Sequence, residues 1–199
     1  MGTIFCLLGK SSTGKDTIYK RLTENAALGL TPIIPYTTRP IREGEREGVE
    51  YHFADEALYQ SLLEAGRVIE ERSYHTVHGL WRYFTVAEEA VDPKERDYLI
   101  TAGTLVAFRG IRDYYGADHV RSILIDVDDG DRLQRALNRE RKQETPKYEE
   151  MCRRFLADSE DFSEDKIRET GIDVRIRNDE LEQCLGDIIS YVKKCQDKV

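Results

Sequence analysis

No run of apolar residues in this 199-residue chain approaches the roughly 18 that a membrane-crossing helix needs, so a transmembrane helix is excluded. The N-terminal residues lack the basic region of a secretory signal, and Thr3 to Leu8 reads as a buried strand instead. The expected location is therefore the cytoplasm. Cysteine is scarce: Cys6, Cys152, Cys184 and Cys195 show no C-x-x-C spacing, which argues for reduced thiols and against a disulfide framework. His75 and His78 stand three apart without a second ligand pair, short of the four recognisable ligands of a structural zinc site. Basic residues are also too few for a protein that coats nucleic acid. The 30 Lys and Arg against 38 Asp and Glu leave a net charge of −8, and such proteins need a positive field to displace counterions. Internal repeats and low-complexity segments are likewise absent.

What is present fits a globular protein of one α/β unit with small insertions: 40% hydrophobic residues, 34% charged residues and a length too short for two independent domains. Within it, Gly9-Lys10-Ser11-Ser12-Thr13-Gly14-Lys15-Asp16-Thr17 follows the apolar run Ile4-Phe5-Cys6-Leu7-Leu8 and precedes the helical spacing of Ile18 and Leu22. Strand, glycine loop and helix in this order make a phosphate-binding loop. Gly9 and Gly14 let the backbone wrap until its N–H groups, across Ser11, Ser12 and Thr13, point inward, while the helix directs its positive N-terminus at the same anion. Lys15 supplies a charge that reaches the outer phosphates. The simplest form of the motif has a hydroxyl directly after the lysine; here Asp16 stands there, and the hydroxyl comes at Thr17. Asp16 either caps the first helical turn or sits in a metal's outer shell, and the frequency of Asp at helix starts favours the cap.

Further strands are expected at Ile33-Ile34, Tyr98 to Ile100, Ser122 to Ile125 and Val174 to Ile176, separated by helical periodicity such as Leu105 to Tyr115 and Leu181 to Val192. This alternation predicts a mainly parallel sheet with helices on both faces. Two regions break it. Residues 36–85 carry short alternating pieces (Glu50 to Phe53, Val68 to Tyr74, Leu80 to Thr85) that suggest a small β-rich insertion. Residues 129–162 read as two helices, one with Leu133 and Leu137 and one with Met151, Phe155 and Phe162, broken at Thr145-Pro146. Most of the arginines on this pair read as a solvated face.

The insertion contains Tyr36-Thr37-Thr38-Arg39-Pro40-Ile41-Arg42, then Glu45, Gly48 and Tyr51-His52-Phe53. Arg39 and Arg42 are two fork-shaped donors, each able to grip phosphate oxygens bidentately, and Tyr51 adds a hydroxyl. With Lys15 this makes two separated anion sites, the arrangement that sets a donor and an acceptor phosphate in line.

The pattern Thr-Thr-Arg, Arg, Glu, Gly, Tyr-X-Phe closely resembles that of the guanylate kinase family, with further matches at Val68-Ile69-Glu70, Arg154 and Asn178-Asp179-Glu180-Leu181. The resemblance spans nearly the whole chain and is strongest over residues 3–70. It implies a P-loop fold, a three-layer α/β/α core with a parallel sheet (about 1–35, 86–128 and 163–199), a monophosphate-binding insertion (about 36–85) and a helical lid (about 129–162). It implies a transferase that moves a phosphoryl group from Mg-ATP to a nucleoside monophosphate, GMP above others, with nucleic acid and membrane not among its partners. Gly9, Ser11, Ser12, Thr13, Gly14, Lys15, Asp16, Thr17 and Asn178 would hold ATP, and Thr17 would face Mg2+, through water. Arg39, Arg42, Glu45 and Tyr51 would hold the monophosphate. Glu70 would face guanine, with a surface carboxylate beside Glu71 and Arg72 as the plainer reading. Lys15, Arg42, Arg154 and Arg139 or Arg141 would act on the transferred group.

Three places leave the family pattern. Its Asp-X-Asp after the strand of Tyr98 to Ile100 is Thr101-Ala102-Gly103 here; its Tyr-Gly-Ser/Thr stretch becomes His78-Gly79-Leu80 or Trp81-Arg82-Tyr83; and a serine becomes Pro35. The phosphate half of the acceptor site is thus better preserved than the half that reads the base. A nucleotide-binding regulator and a kinase for another phosphorylated metabolite stand as alternatives.

Overall fold

Five consecutive apolar residues, Ile4–Leu8, form strand β1, and all five are fully buried. A strand covered on both faces is what a parallel sheet with helices on each side requires. The computed structural model describes residues 2–42, 44–76 and 79–197. In chain order β1 is followed by α1 (Lys15–Thr23), β2 (Thr31–Pro32), β3 (Tyr36–Thr37), β4 (His52–Phe53), α2 (Glu56–Glu64), β5 (Val68–Thr76), β6 (Gly79–Val86) and β7 (Tyr98–Thr101). Then come α3 (Leu105–Tyr115), β8 (Val120–Asp126), α4 (Asp129–Glu140), α5 (Tyr148–Asp161), α6 (Glu164–Thr170), β9 (Val174–Arg177) and α7 (Leu181–Gln196).

The main sheet runs β2-β7-β1-β8-β9, and every pairing is parallel. Alternation along β1 divides its side chains between two cores. Ile4, Cys6 and Leu8 pack with Ile100, Phe108 and Ile111 on the α3 side, while Phe5 and Leu7 pack with Ile18, Leu22, Leu185 and Ile188 on the side of α1 and α7. The strand expected at Ile33-Ile34 lies two residues earlier, at Thr31–Pro32. Ile33 still donates its N–H to Leu99 O (2.9 Å), but Pro35 has no N–H to continue the ladder, and Pro32 is tolerated because β2 is the edge.

The second sheet has the order β4-β3-β6-β5, with β3 and β4 parallel and the remaining pairs antiparallel. Its own small core, Tyr59, Leu62, Phe84 and Val86, is closed by α2, a helix the apolar spacing did not single out. The local signal is Asp55, whose carboxylate accepts from Leu58 N–H at 2.7 Å and caps the helix. Beneath α2 the Arg82 guanidinium is held by Glu56 (3.0 Å) and Glu71 (2.5 Å) and lies over the Tyr59 ring.

Helix α4 does not bury the face its leucines suggest. Leu133 is exposed, whereas Ala136 and Arg132 are buried, the arginine to 1%. Arg132 donates from Nε to Asp129 Oδ1 (3.0 Å) and from Nη1 to Ser11 O (3.1 Å), pairs with Asp158 Oδ2 (3.4 Å) and stacks 4.4 Å from the Phe155 ring. Asp158 in turn accepts from Ser11 N–H at 2.8 Å. A guanidinium is buried only where such partners surround it, so the pair α4 and α5 is fastened to the glycine loop through both polar groups of one peptide residue.

Two stability measurements check this reading. Phe108→Ala should lower the unfolding free energy by about 3–5 kcal/mol, while the exposed Val106→Ala should change it by less than about 0.5 kcal/mol. Asp158→Ala, which strips a partner from Arg132, should cost about 3 kcal/mol, and R132M/D158A should recover most of that loss in chemical denaturation.

Candidate functional site

The glycine loop joins the carboxyl end of β1 to α1, the end of a parallel sheet where ligands bind. A Cβ at Gly9 would stand 2.8 Å from Ile125 O, and one at Gly14 would stand 2.6 Å from Asn178 Nδ2. Gly14 is also left-handed (φ 87°) and forms the N-cap of α1. The first helical bond runs from Ile18 N–H to Gly14 O at 3.0 Å, so the N–H groups of Lys15, Asp16 and Thr17 point out of the helix end. Inside the loop, Thr13 Oγ1 donates to Lys10 O (2.9 Å) and Asn178 Nδ2 donates to Thr13 O (2.7 Å). Ser12 adopts the left-handed region (φ 66°) that favours glycine, and its enclosed hydroxyl has no partner. Both facts suit a loop shaped around an anion.

Asp16 does not cap α1. Its side chain is 97% exposed and pairs with Lys15 Nζ at 3.4 Å, because the chain enters the helix through Gly14, two positions earlier. Thr17 is exposed in the same first turn. Asn178, expected beside a base, is buried, with its amide engaged by the loop backbone.

In the insertion, Arg39 is 3% exposed and pairs bidentately with Glu45, at 2.7 Å to Oε2 and 2.6 Å to Oε1. Hydrogen bonding from Arg39 holds the Glu45 carboxyl below its ordinary range; burial works against the Arg39 charge, but its bond to Glu45 still leaves the guanidinium pKa raised. The guanidinium lies 5.1 Å from the Tyr51 ring and 5.6 Å from that of Phe53, and its buried Nε has no partner among the described residues. Glu45 supports Arg42 through the backbone, accepting from its N–H at 2.8 Å, so the Arg42 side chain stays exposed. Burial pushes the Tyr51 phenol up, and the charges of Asp16 at the start of α1 and of Arg39 and Arg72 in the insertion also bear on it.

Glu70 is not a surface carboxylate: 6% exposed, it accepts from Thr85 Oγ1 (2.7 Å) and Arg72 Nε (3.2 Å). The register of β5 with β6 sets Thr85 opposite Glu70, Tyr83 opposite Arg72 and Trp81 opposite Tyr74. Opposed residues share a sheet face, so of the stretch Trp81-Arg82-Tyr83 both Tyr83 and Trp81 lie on the Glu70 face, Tyr83 nearer to Glu70 along the strand, and Arg82 points to α2. His78 lies outside the described residues.

Among the arginines of α4 and α5, Arg154 Nη2 reaches Ser11 Oγ at 3.3 Å. Arg139 and Arg141 are exposed, at the far end of α4 from the loop. Two further arginines, not singled out above, are held near the loop: Arg132, whose Nη1 donates to Ser11 O, and Arg135, whose Nη2 donates to Asn178 O at 2.9 Å. Their spacing with Asp129, three residues apart along one helix face, was the available signal. Glu150 on α5 is lowered chiefly by its bonds from Arg153, with the charges of Arg154 and Arg42 acting in the same direction.

A family model for guanylate kinase matches residues 1–195. The guanylate kinase of Neisseria gonorrhoeae is 30% identical over 201 residues, covering 99% of this chain and 90% of that protein. That of Homo sapiens is 30% identical over 183 residues, covering 92% of this chain and 88% of that one. The crystal structure of guanylate kinase from Anaplasma phagocytophilum aligns with a TM-score of 0.66 over 97% of this chain and 85% of that chain; at 22% identity this is a likeness of fold. Glycine loop, parallel sheet and arginine-bearing insertion therefore sit in one frame, and the chain belongs to the guanylate kinase family.

Proposed function

We propose that this protein transfers the γ-phosphoryl group of Mg-ATP to GMP, giving ADP and GDP, in the cytoplasm. The observation that carries the reading is a pair of anion sites facing one cleft. One is the glycine loop with Lys15 and the outward N–H groups of α1; the other is buried Arg39, with a donor left over beside Tyr51. A buried guanidinium nitrogen without a partner is costly unless a ligand completes it, and a phosphate oxygen is a fitting acceptor. The free cysteines accord with a reducing compartment.

The acceptor phosphate is already a nucleophile, so no base is needed. One of its oxygens bonds to the γ-phosphorus as the bond from that phosphorus to the bridging β-oxygen breaks, and ADP leaves with the electron pair. Lys15 and Arg154 neutralise charge on the transferring group, and Arg39 with Arg42 and Tyr51 holds the acceptor in line. Glu70 faces the base. Among the described residues there is no cluster of three or more His, Cys, Asp or Glu that would hold a metal by itself. That suits Mg2+ arriving on ATP, since this ion keeps several waters and takes one or two protein groups besides phosphate oxygens. Thr17 and the exposed carboxylate of Asp16 are placed to serve it, directly or through water.

Lys15→Ala should lower kcat for ADP formation by about 100- to 1,000-fold with the thermal melt unchanged. Arg39→Ala should raise KM for GMP by at least about tenfold with KM for ATP nearly constant. Wild-type kinetics in both variants at matched folding would refute the assignment of the two anion sites.

A further inference from the structure

Glu70 and Arg72 form an acid–base pair built into the wall of the acceptor cleft, and the chain makes room for it with two glycines. A Cβ at Gly110 on α3 would lie 2.8 Å from Glu70 Cβ, and a Cβ at Gly103 would lie 2.2 Å from Arg72 Nη1. Neither glycine has a positive φ, so the backbone does not demand glycine there; at Gly110 space does, since Glu70 Cβ cannot swing away, whereas at Gly103 the neighbour is the movable end of Arg72. Gly103 follows the carboxyl end of β7, next to the glycine loop at the end of β1, since those strands are neighbours. Arg72 is 16% exposed, and its guanidinium lies beside Gly103, at the loop end of the main sheet.

We propose that Arg72 is a specificity-determining residue, donating to the 6-oxo group of a purine monophosphate while Glu70 accepts from the ring N–H and the 2-amino group. This rests on the reading above, in which the acceptor base lies at Glu70. Each Glu70 oxygen already takes one hydrogen bond, from Thr85 or Arg72, and a carboxylate oxygen accepts a second. The pair thus offers two acceptors followed by a donor, complementary to the two donors and one acceptor along the guanine edge. Adenine turns an amino group toward the guanidinium, donor against donor, and leaves both unsatisfied, which is how a hydrogen-bonding site rejects a wrong partner. Arg72 also offsets the Glu70 charge, so a neutral base enters without facing an unpaired buried carboxylate.

The test is ADP formation by the full chain with Mg-ATP and GMP, IMP or AMP. Arg72→Met should lower kcat/KM for GMP and for IMP, which keeps the 6-oxo group, by about 10- to 100-fold. The value for AMP should not fall, and KM for ATP should hold. Equal losses on all three acceptors would make Arg72 a phosphate or structural residue and overturn the proposal, as would an unchanged GMP-to-AMP ratio. Should Arg72→Met melt early, Gly103→Ala decides: its methyl displaces the guanidinium without removing it, and the same collapse of the GMP-to-AMP ratio is expected, whereas a wild-type ratio sinks the idea. Failure of the function itself is visible separately, as absence of GMP and IMP turnover in the unmodified protein, and it takes this inference with it.

Discussion

The left-handed turn at Gly14 is the constraint on which the donor end of the cleft depends. It lets the chain leave the loop and enter α1 without a side-chain cap, so the first-turn N–H groups stay unclaimed. The space a side chain would fill is occupied by the Asn178 amide, which braces the loop from β9's end. Because β9 must then lie where Asn178 can reach, the order β1-β8-β9 and the position of the loop are two expressions of one packing requirement. Arg132 and Asp158 repeat the device from the other side, gripping Ser11 by its carbonyl and N–H.

The second sheet solves a different problem. In the function proposed, it presents buried positive charge to an acceptor without collapsing around it. Glu45 keeps the Arg39 fork flat against Tyr51 and Phe53, and the Arg82 network on the opposite face keeps α2 in place, with the Tyr59 and Ser73 hydroxyls both bonded to Glu71. Alternation along β5 separates these duties: Glu70 and Arg72 serve one face, Glu71 and Ser73 the other. Removing water from such pairs is tolerable only when each partner is satisfied, and Arg39 Nε is the place where satisfaction is left to a ligand in the function proposed.

Legibility in the sequence followed the range of the forces involved. β1, β8, α3 and α7 are written as apolar periodicity: β1 and α3 keep the expected limits, while β8 and α7 run past the apolar stretch, to Val120–Asp126 and Leu181–Gln196. The glycine loop was equally plain, since backbone geometry demands particular residues. Misplacements came where a distant contact overrides a local preference. Asp16 has the composition of a cap, but loop geometry gives the cap to Gly14. Arg132 has the composition of a solvated residue, but Asp129, Asp158 and the Ser11 carbonyl, the last two far away in sequence, make its burial favourable. Glu70 likewise required Thr85, fifteen residues on, before its enclosure could be understood.

The division of β1 between two cores makes that strand a ruler. Even-numbered side chains face one hydrophobic cluster and odd-numbered ones the other, and Gly9 begins the loop at a fixed phase of that alternation. Deleting one residue would exchange Phe5 and Leu7 with Cys6 and Leu8 across the sheet, and would rotate the loop's first peptide away from the cleft. Point substitutions in β1 are graded in their effect, whereas a change of length by one shifts every side chain to the opposite core at once.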